Sequence, residues 1–283
     1  MLEKFMENYR MLIIIPVIIT ILSLALISFN GLNEGIELRG GSIAVLKLHE
    51  PINSSTLENQ IKTSLINQGL GVQEVSVISN RGLDLTVEIG SEVNSTVFHT
   101  AIAGVANVTS YNAVGPVLSE EAVGQIVWAL AFAFLFMSIT VFIIFRELVP
   151  SIGIILAAAS DIIIAVAGMS IFNIPLSIAS VGAILMLIGY SIDTDIVLTT
   201  RLLRRKEGTI VDRATEAMKT GMTMSIAAIA AMSVLYIVTI ILIPEASVLS
   251  DIAAVLIVGL IADIFTTWFM NLGILRWYME ARQ

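Results

Sequence analysis

The chain has 283 residues, of which 57% are hydrophobic and 13% charged, and its mean hydropathy is +0.92. These values exclude an ordinary soluble domain and point to a membrane protein. The net charge of −8 argues against a nucleic-acid partner, and the absence of cysteine excludes a disulfide framework, a thiol nucleophile and a thiolate metal site.

Six apolar runs, near 11–29, 123–145, 151–172, 175–199, 220–243 and 250–275, are each long enough to cross a ~30 Å hydrocarbon core as a helix. The first follows Lys4 and Arg10 as a signal peptide would. It is long and lacks a small-x-small cleavage site at its end, so a retained anchor is expected.

Residues 30–122 form the one sizeable soluble portion. Gly41 to Leu48 reads as a strand. Ser55 to Asn67 reads as a helix, with Ser55 as N-cap and Glu58 three residues on in a capping-box pattern. Val72 to Ile78 and Leu83 to Ile89 alternate apolar and polar around Asn80-Arg81-Gly82, a hairpin signal. Val93 to Ala106 reads as a second helix and Val108 to Ala113 as a closing strand. The order β-α-β-β-α-β predicts a small ferredoxin-like α+β domain. Its two histidines, His49 and His99, are isolated, so no catalytic, cofactor or metal site is expected here. Asn53, Asn94 and Asn107 head N-x-S/T sequons, which are either glycosylation acceptors or chance tripeptides. The expected division is residues 1–29 (N-terminus and first span), 30–122 (α+β domain), 123–275 (five-span bundle) and 276–283 (tail).

Basic residues fix an orientation. Lys4, Arg10, Arg146, Arg201, Arg204, Arg205, Lys206, Arg213, Lys219, Arg276 and Arg282 share one side if there are six spans. The positive-inside rule makes that side cytoplasmic, with both termini there and residues 30–122 extracytoplasmic.

Four acids fall inside the spans: Asp161, Asp193, Asp195 and Asp263. Intramembrane carboxylates are costly and usually face a bundle interior, a partner charge or a water path. Asp193 and Asp195 are two residues apart, about 200° around a helix, and cannot share a face. Asp193 lines up with Ala179, Gly182, Ala183, Met186, Gly189 and Tyr190, a small-residue stripe that reads as the seam of a helical bundle. Asp195 is the acid expected to reach inner-leaflet water. One reading is a proton or cation relay. The other, favoured by residue type for Asp195 and Asp263, is that the acids bond Ser160, Ser191, Thr194 or Thr199 and lock helices together. Lys219, at the inner edge of span 5, is the nearest cation. Gly259 and Ala262, beside Asp263, belong to faces that a partner could cover.

Several local motifs sharpen this picture. Ile36-Glu37-Leu38-Arg39-Gly40-Gly41-Ser42, just after span 1, resembles the hydrophobic-acid-x-x-Gly-Gly-Thr start of the soluble domain in the SecD/SecF family. Val114-Gly115-Pro116 with Glu120-Glu121, Phe145-Arg146 closing span 2, Asp161 in span 3 and Ile188-Gly189-Tyr190-Ser191-Ile192 in span 4 resemble its landmarks in the right order. The chain is therefore identified as resembling the SecF branch, in its archaeal form. The resemblance implies a helical polytopic membrane protein with six transmembrane helices, one half of a resistance-nodulation-division (RND) type transporter. It also implies a non-enzymatic role assisting export of polypeptide at the Sec channel, with a SecD-like partner and proton flow as the drive. Two departures stand out. Bacterial members carry I-G-Y-S-x-N-D-T where this chain has Asp193-Thr194-Asp195. Their arginine at the start of span 5 is matched by Lys219, which keeps the charge and loses the planar fork. The alternatives are a passive translocon scaffold and half of a small-molecule exporter.

Overall fold

The computed structural model describes residues 9–71, 74–81, 83–205, 207–243 and 246–281. Lys4, Val72, Gly82, Lys206 and Arg282 lie outside these residues. The chain opens with α1 (Tyr9–Asn30) and the short α2 (Ile36–Arg39), followed by β1 (Gly41–Leu48), α3 (Ser54–Asn67), β2 (Val75–Arg81) and β3 (Asp84–Ile89). Next come α4 (Ser95–Ile102), β4 (Ala106–Val114), α5 (Pro116–Phe145), α6 (Leu148–Phe172), α7 (Ile178–Arg204) and α8 (Ile210–Leu242). The chain ends with α9 (Ser247–Phe265), a π-helical stretch (Thr266–Asn271) and α10 (Leu272–Glu280).

Six helices are long and apolar enough to cross a membrane: α1, α5, α6, α7, α8 and the unbroken run from Ser247 to Glu280. They are spans 1 to 6 below. Hydropathy placed several ends too tightly, those of spans 2, 4, 5 and 6 among them, because charged first and last turns are helical without being apolar. Span 5 begins at Ile210, where Thr209 and Asp212 cap each other reciprocally, and span 6 continues through Arg276 to Glu280.

The domain between spans 1 and 2 is a four-stranded antiparallel sheet in the order β2-β3-β1-β4. Alternation along β1 and β3 sends Ala44, Leu46, Leu48, Leu85, Val87 and Ile89 to one face, where α3 and α4 bury Leu57, Ile61, Leu65, Phe98 and Ile102 against them. Burial at ~1.5–3 kcal/mol per large apolar side chain is ample for a domain of this size. The expected βαββαβ order is present. The cap of its first helix differs from expectation. Asn53, not Ser55, is the N-cap, and its side chain accepts from the Ser55 amide at 3.2 Å. Glu58 does not close a capping box; its carboxylate accepts from the Val77 amide of β2 at 2.8 Å and ties helix to sheet. Asn94 caps α4 in the same way. Two of the three sequon asparagines thus have a conformational use. Asn53→Ala should cost about 1 kcal/mol, speeding amide exchange in the first turn of α3 about fivefold, whereas Ser55→Ala should leave it unchanged.

The turn into β1 requires its two glycines. Gly40 has φ 77° and Gly41 φ 136°, and a Cβ on Gly41 would lie 2.5 Å from the Ile89 carbonyl oxygen. Arg39, beside them, pairs with Glu88 of β3 at 2.5 Å.

Candidate functional site

The structure sorts the four intramembrane acids into three and one. Asp161 of span 3, Asp195 of span 4 and Asp263 of span 6 are 0%, 0% and 1% exposed. Asp193 faces outward from the bundle. Spans 3 and 6 pack on the face of span 4 that carries Ser191, Thr194, Asp195 and Leu198, and this packing decides which of the two neighbouring aspartates is enclosed. Asp195, expected at inner-leaflet water, is enclosed completely. At ~1.5 Å per residue it lies about 25 Å along span 4 from Ile178 and about 13 Å from Arg204.

Hydroxyl groups link the three carboxyls. Ser191 donates to Asp161 Oδ2 at 2.6 Å, and Thr266 donates to Asp161 Oδ1. The Thr194 hydroxyl lies 3.0 and 3.2 Å from the two Asp263 oxygens and 2.8 Å from the Ser191 carbonyl. Thr267 lies between Asp195 Oδ1 at 3.0 Å and Asp263 Oδ1 at 3.2 Å, and Asn271 Nδ2 donates to Asp195 Oδ1 at 2.7 Å. One threonine proton cannot serve two carboxylates at once, so Thr267 makes the state of Asp195 depend on that of Asp263. The carboxyls are strung along hydroxyls rather than converging on a point. Among the described residues, no three acid, histidine or cysteine side chains come together at metal-binding spacing.

Hydrogen bonding around Asp195 is incomplete. Its Oδ2, the Oδ1 of Asn271 and the hydroxyl of Thr199, one turn further along span 4, are buried without a hydrogen-bond partner. No lysine, arginine or histidine hydrogen-bonds any of the three aspartates among the described residues. Three uncompensated carboxylates cannot all be charged in such surroundings.

Apolar layers close the cluster at both ends. On the domain side, Ala165, Met169, Ile184, Leu187, Val255, Leu256 and Leu260 pack together. On the opposite side are Leu198, Leu202, Ala217, Trp268, Leu272 and Leu275. Glycines let these layers close: a Cβ on Gly221 would lie 2.4 Å from the Trp268 ring, and one on Gly259 2.4 Å from Leu187. Gly259 therefore serves the interior of this bundle and not a partner face.

Three donors went unforeseen: Thr266, Thr267 and Asn271. A signal was present, because with Asp263 they stand at i, i+3, i+4 and i+8 of an otherwise apolar span. They fall in the six-residue π-helical stretch, a feature that often marks functional positions in helices.

Two expected site features point elsewhere. Gly182, Met186, Gly189 and Asp193 lie on the exposed face of span 4, and a Cβ on either glycine would meet open space. This stripe is not a seam within the present bundle, although Ala183 is buried and the Tyr190 hydroxyl donates to the Met224 carbonyl at 2.6 Å. Lys219 is exposed and bonds none of the acids among the described residues. At that end of the bundle Arg201 is half-buried, 3.0 Å from the Thr220 hydroxyl and 3.7 Å from Glu216.

A sequence profile described as protein export membrane protein SecD/SecF, C-terminal, matches residues 92–281, about two thirds of the chain. The chain belongs to the SecD/SecF family. Relatives named protein-export membrane protein SecF agree over the full length. That of Methanothermobacter thermautotrophicus is 59% identical over 100% of this chain and 96% of its own, and that of Methanocaldococcus jannaschii 40% over 96% of each. Among solved structures, SecDF of Thermus thermophilus superposes with a TM-score of 0.72 at 18% identity, covering 98% of this chain and 38% of its own. A heavy metal efflux pump covers 84% of this chain with a TM-score of 0.51 at 16% identity. The fold of this chain, six spans and a small α+β domain, is thus that of SecDF, and most of it also superposes on the efflux pump.

Proposed function

We propose that this chain is the SecF-type subunit of a membrane complex that assists Sec-dependent protein export, and that it works paired with a SecD-like subunit. The full-length likeness to SecF proteins carries the reading. The chain matches 38% of the length of the SecDF polypeptide while using nearly all of its own residues, and a SecD-like half is what would complete that architecture. The open face of span 4 is the place for that half. Gly182 and Gly189 allow close helix approach there, and Asp193 on the same face needs a polar or charged partner within the bilayer. The aromatic ladder Trp128, Phe132 and Phe136 on span 2, with centroids 5.6 and 6.3 Å apart, suits contact with lipid.

In this reading the α+β domain is extracytoplasmic, both termini are cytoplasmic, and the domain meets polypeptide leaving the Sec channel. The chain acts as an accessory rather than an enzyme. The working site is the Asp161–Asp195–Asp263 cluster in place of the pair Asp193 and Lys219. Charge balance requires that it hold protons or a small cation, and the apolar layers on either side allow access from one side at a time as helices shift. Coupling the ion gradient to export is the consequence.

The test is recovery of the complex from native membranes in mild detergent. A SecD-like chain should co-purify. Gly189→Trp, which fills the open face, should lower its recovery at least fivefold at unchanged yield of this chain. A stable homo-oligomer with no SecD-like chain would overturn the reading and favour an exporter half.

A further inference from the structure

The α+β domain does not lie flat on the bundle. A crevice of about 360 Å³ separates the sheet face carrying Ile43, Val45 and Thr86 from the ends of spans 3, 5 and 6, and one of about 430 Å³ lies beside it between Glu74, Ser76 and Glu88 and the stretch 32–39. Besides its continuity with spans 1 and 2, where the Ser119 hydroxyl of span 2 donates to the Leu38 carbonyl, the domain is fastened through the short stretch 31–39, which is hydrogen-bonded to the end of span 3 and its connection to span 4. Ser170 donates to the Gly31 carbonyl at 2.7 Å, and Asn33 donates to Asn173 at 3.1 Å. Glu34 and Leu176 form a parallel bridge, with the Leu176 amide 2.7 Å from the Asn33 carbonyl and the Gly35 amide 2.8 Å from that of Leu176.

The last of these contacts reaches the helix itself. Glu37 Oε2 accepts from the amide of Ile178, the first residue of span 4, at 2.9 Å. The opening amides of a helix have no partner within it, and the dipole favours a negative charge there. Ser177 already caps the Ser180 amide from within the loop. Glu37 supplies a second cap from the neighbouring domain. The Glu37 carboxylate is therefore attracted to span 4.

We propose that Glu37 is a positioning residue that fastens the α+β domain to span 4, so that the domain moves as one body with the helix carrying Ser191, Thr194 and Asp195. A shift of span 4 at the acid cluster then reaches the domain through a rigid helix and a charged cap, while spans 5 and 6 slide beneath it. The fastening stands on the contacts alone; the transmission of a signal rests on the cluster being the working site.

The chain has no cysteine, so label pairs can be introduced without background. In the membrane-reconstituted complex, spin labels at Gln60→Cys on α3 and Ile178→Cys should give a narrow distance distribution. Glu37→Ala should at least double its width. Glu37→Gln, which keeps an oxygen for the Ile178 amide, should stay close to the parent. An unchanged width in Glu37→Ala overturns the proposal. A second pair, Gln60→Cys with Leu242→Cys on span 5, reads transmission. Asp263→Asn should shift its mean distance when Glu37 is present and leave it unchanged in Glu37→Ala. A shift that survives Glu37→Ala also overturns the proposal. If Asp263→Asn moves nothing in either background, the cluster loses its working role, and the width measurement still decides the fastening.

Discussion

Asp263→Asn is expected to reduce gradient-dependent stimulation of export at least about tenfold, equivalent to about 1.4 kcal/mol or more, while the chain still folds and recovers its partner. Asparagine keeps the size of the carboxyl and the approach of Thr194 and Thr267. It cannot exchange a proton, and its NH2 group meets two hydroxyls that already donate. Asp263 is the middle member of the string, so its loss separates Asp161 from Asp195. The contrast is Lys219→Gln, which should leave stimulation within about twofold, because Lys219 faces away from the acids. The assay is secretion of a reporter in vesicles bearing the whole complex, with and without an imposed ion gradient. Full stimulation by Asp263→Asn would remove the cluster from the mechanism and revive the passive scaffold.

The largest effect on stability is expected at Gly259. A methyl group there would sit 2.4 and 2.8 Å from the two terminal carbons of Leu187 and 3.1 Å from its Cγ. Leu187 is fully buried among Ala183, Val255 and Leu256, so it has nowhere to swing. Overpacking of this kind costs about 1–3 kcal/mol. Gly259→Ala should lower the thermal midpoint of the purified chain by several degrees. Leu187→Ala in the same molecule should restore part of the loss, a coupling that a double-mutant cycle measures. Gly182→Ala should leave the midpoint unchanged, since its Cβ would enter open space. Equal effects from the two alanines would contradict the packing described above.

The two glycines show what a single sequence can and cannot reveal. Gly182 and Gly259 look alike in sequence, each a small residue in an apolar helix, the first expected in a bundle seam and the second on a partner face. One faces open space and the other is a socket for Leu187. The difference lies in the neighbouring span, which sequence spacing does not specify. The same holds for the aspartates. Spacing correctly separates Asp193 from Asp195, since it depends on one helix alone. It does not say which of them spans 3 and 6 cover, and the small-residue stripe drew the site toward the open face. The six spans and the βαββαβ domain were legible because hydropathic length and strand alternation are local. Asn53 displaced Ser55 as a cap because an Asx side chain two residues ahead of Ser55 already satisfies that amide. Glu58 was thereby released to hold β2. Thr266, Thr267 and Asn271 form a readable polar stripe, but the π-helical winding that places them leaves no mark in the sequence.

That winding has a mechanical consequence. A π turn holds one more residue than an α turn, so span 6 carries a surplus residue between Phe265 and Leu272. If the surplus travels along the helix to its end, the residues it passes turn by about 100° and shift by about 1.5 Å. Leu272 to Glu280 would rotate against span 1 like a screw in its thread, with no loop and no broken hydrogen-bond ladder. The hydroxyls that bridge the acids sit on that thread.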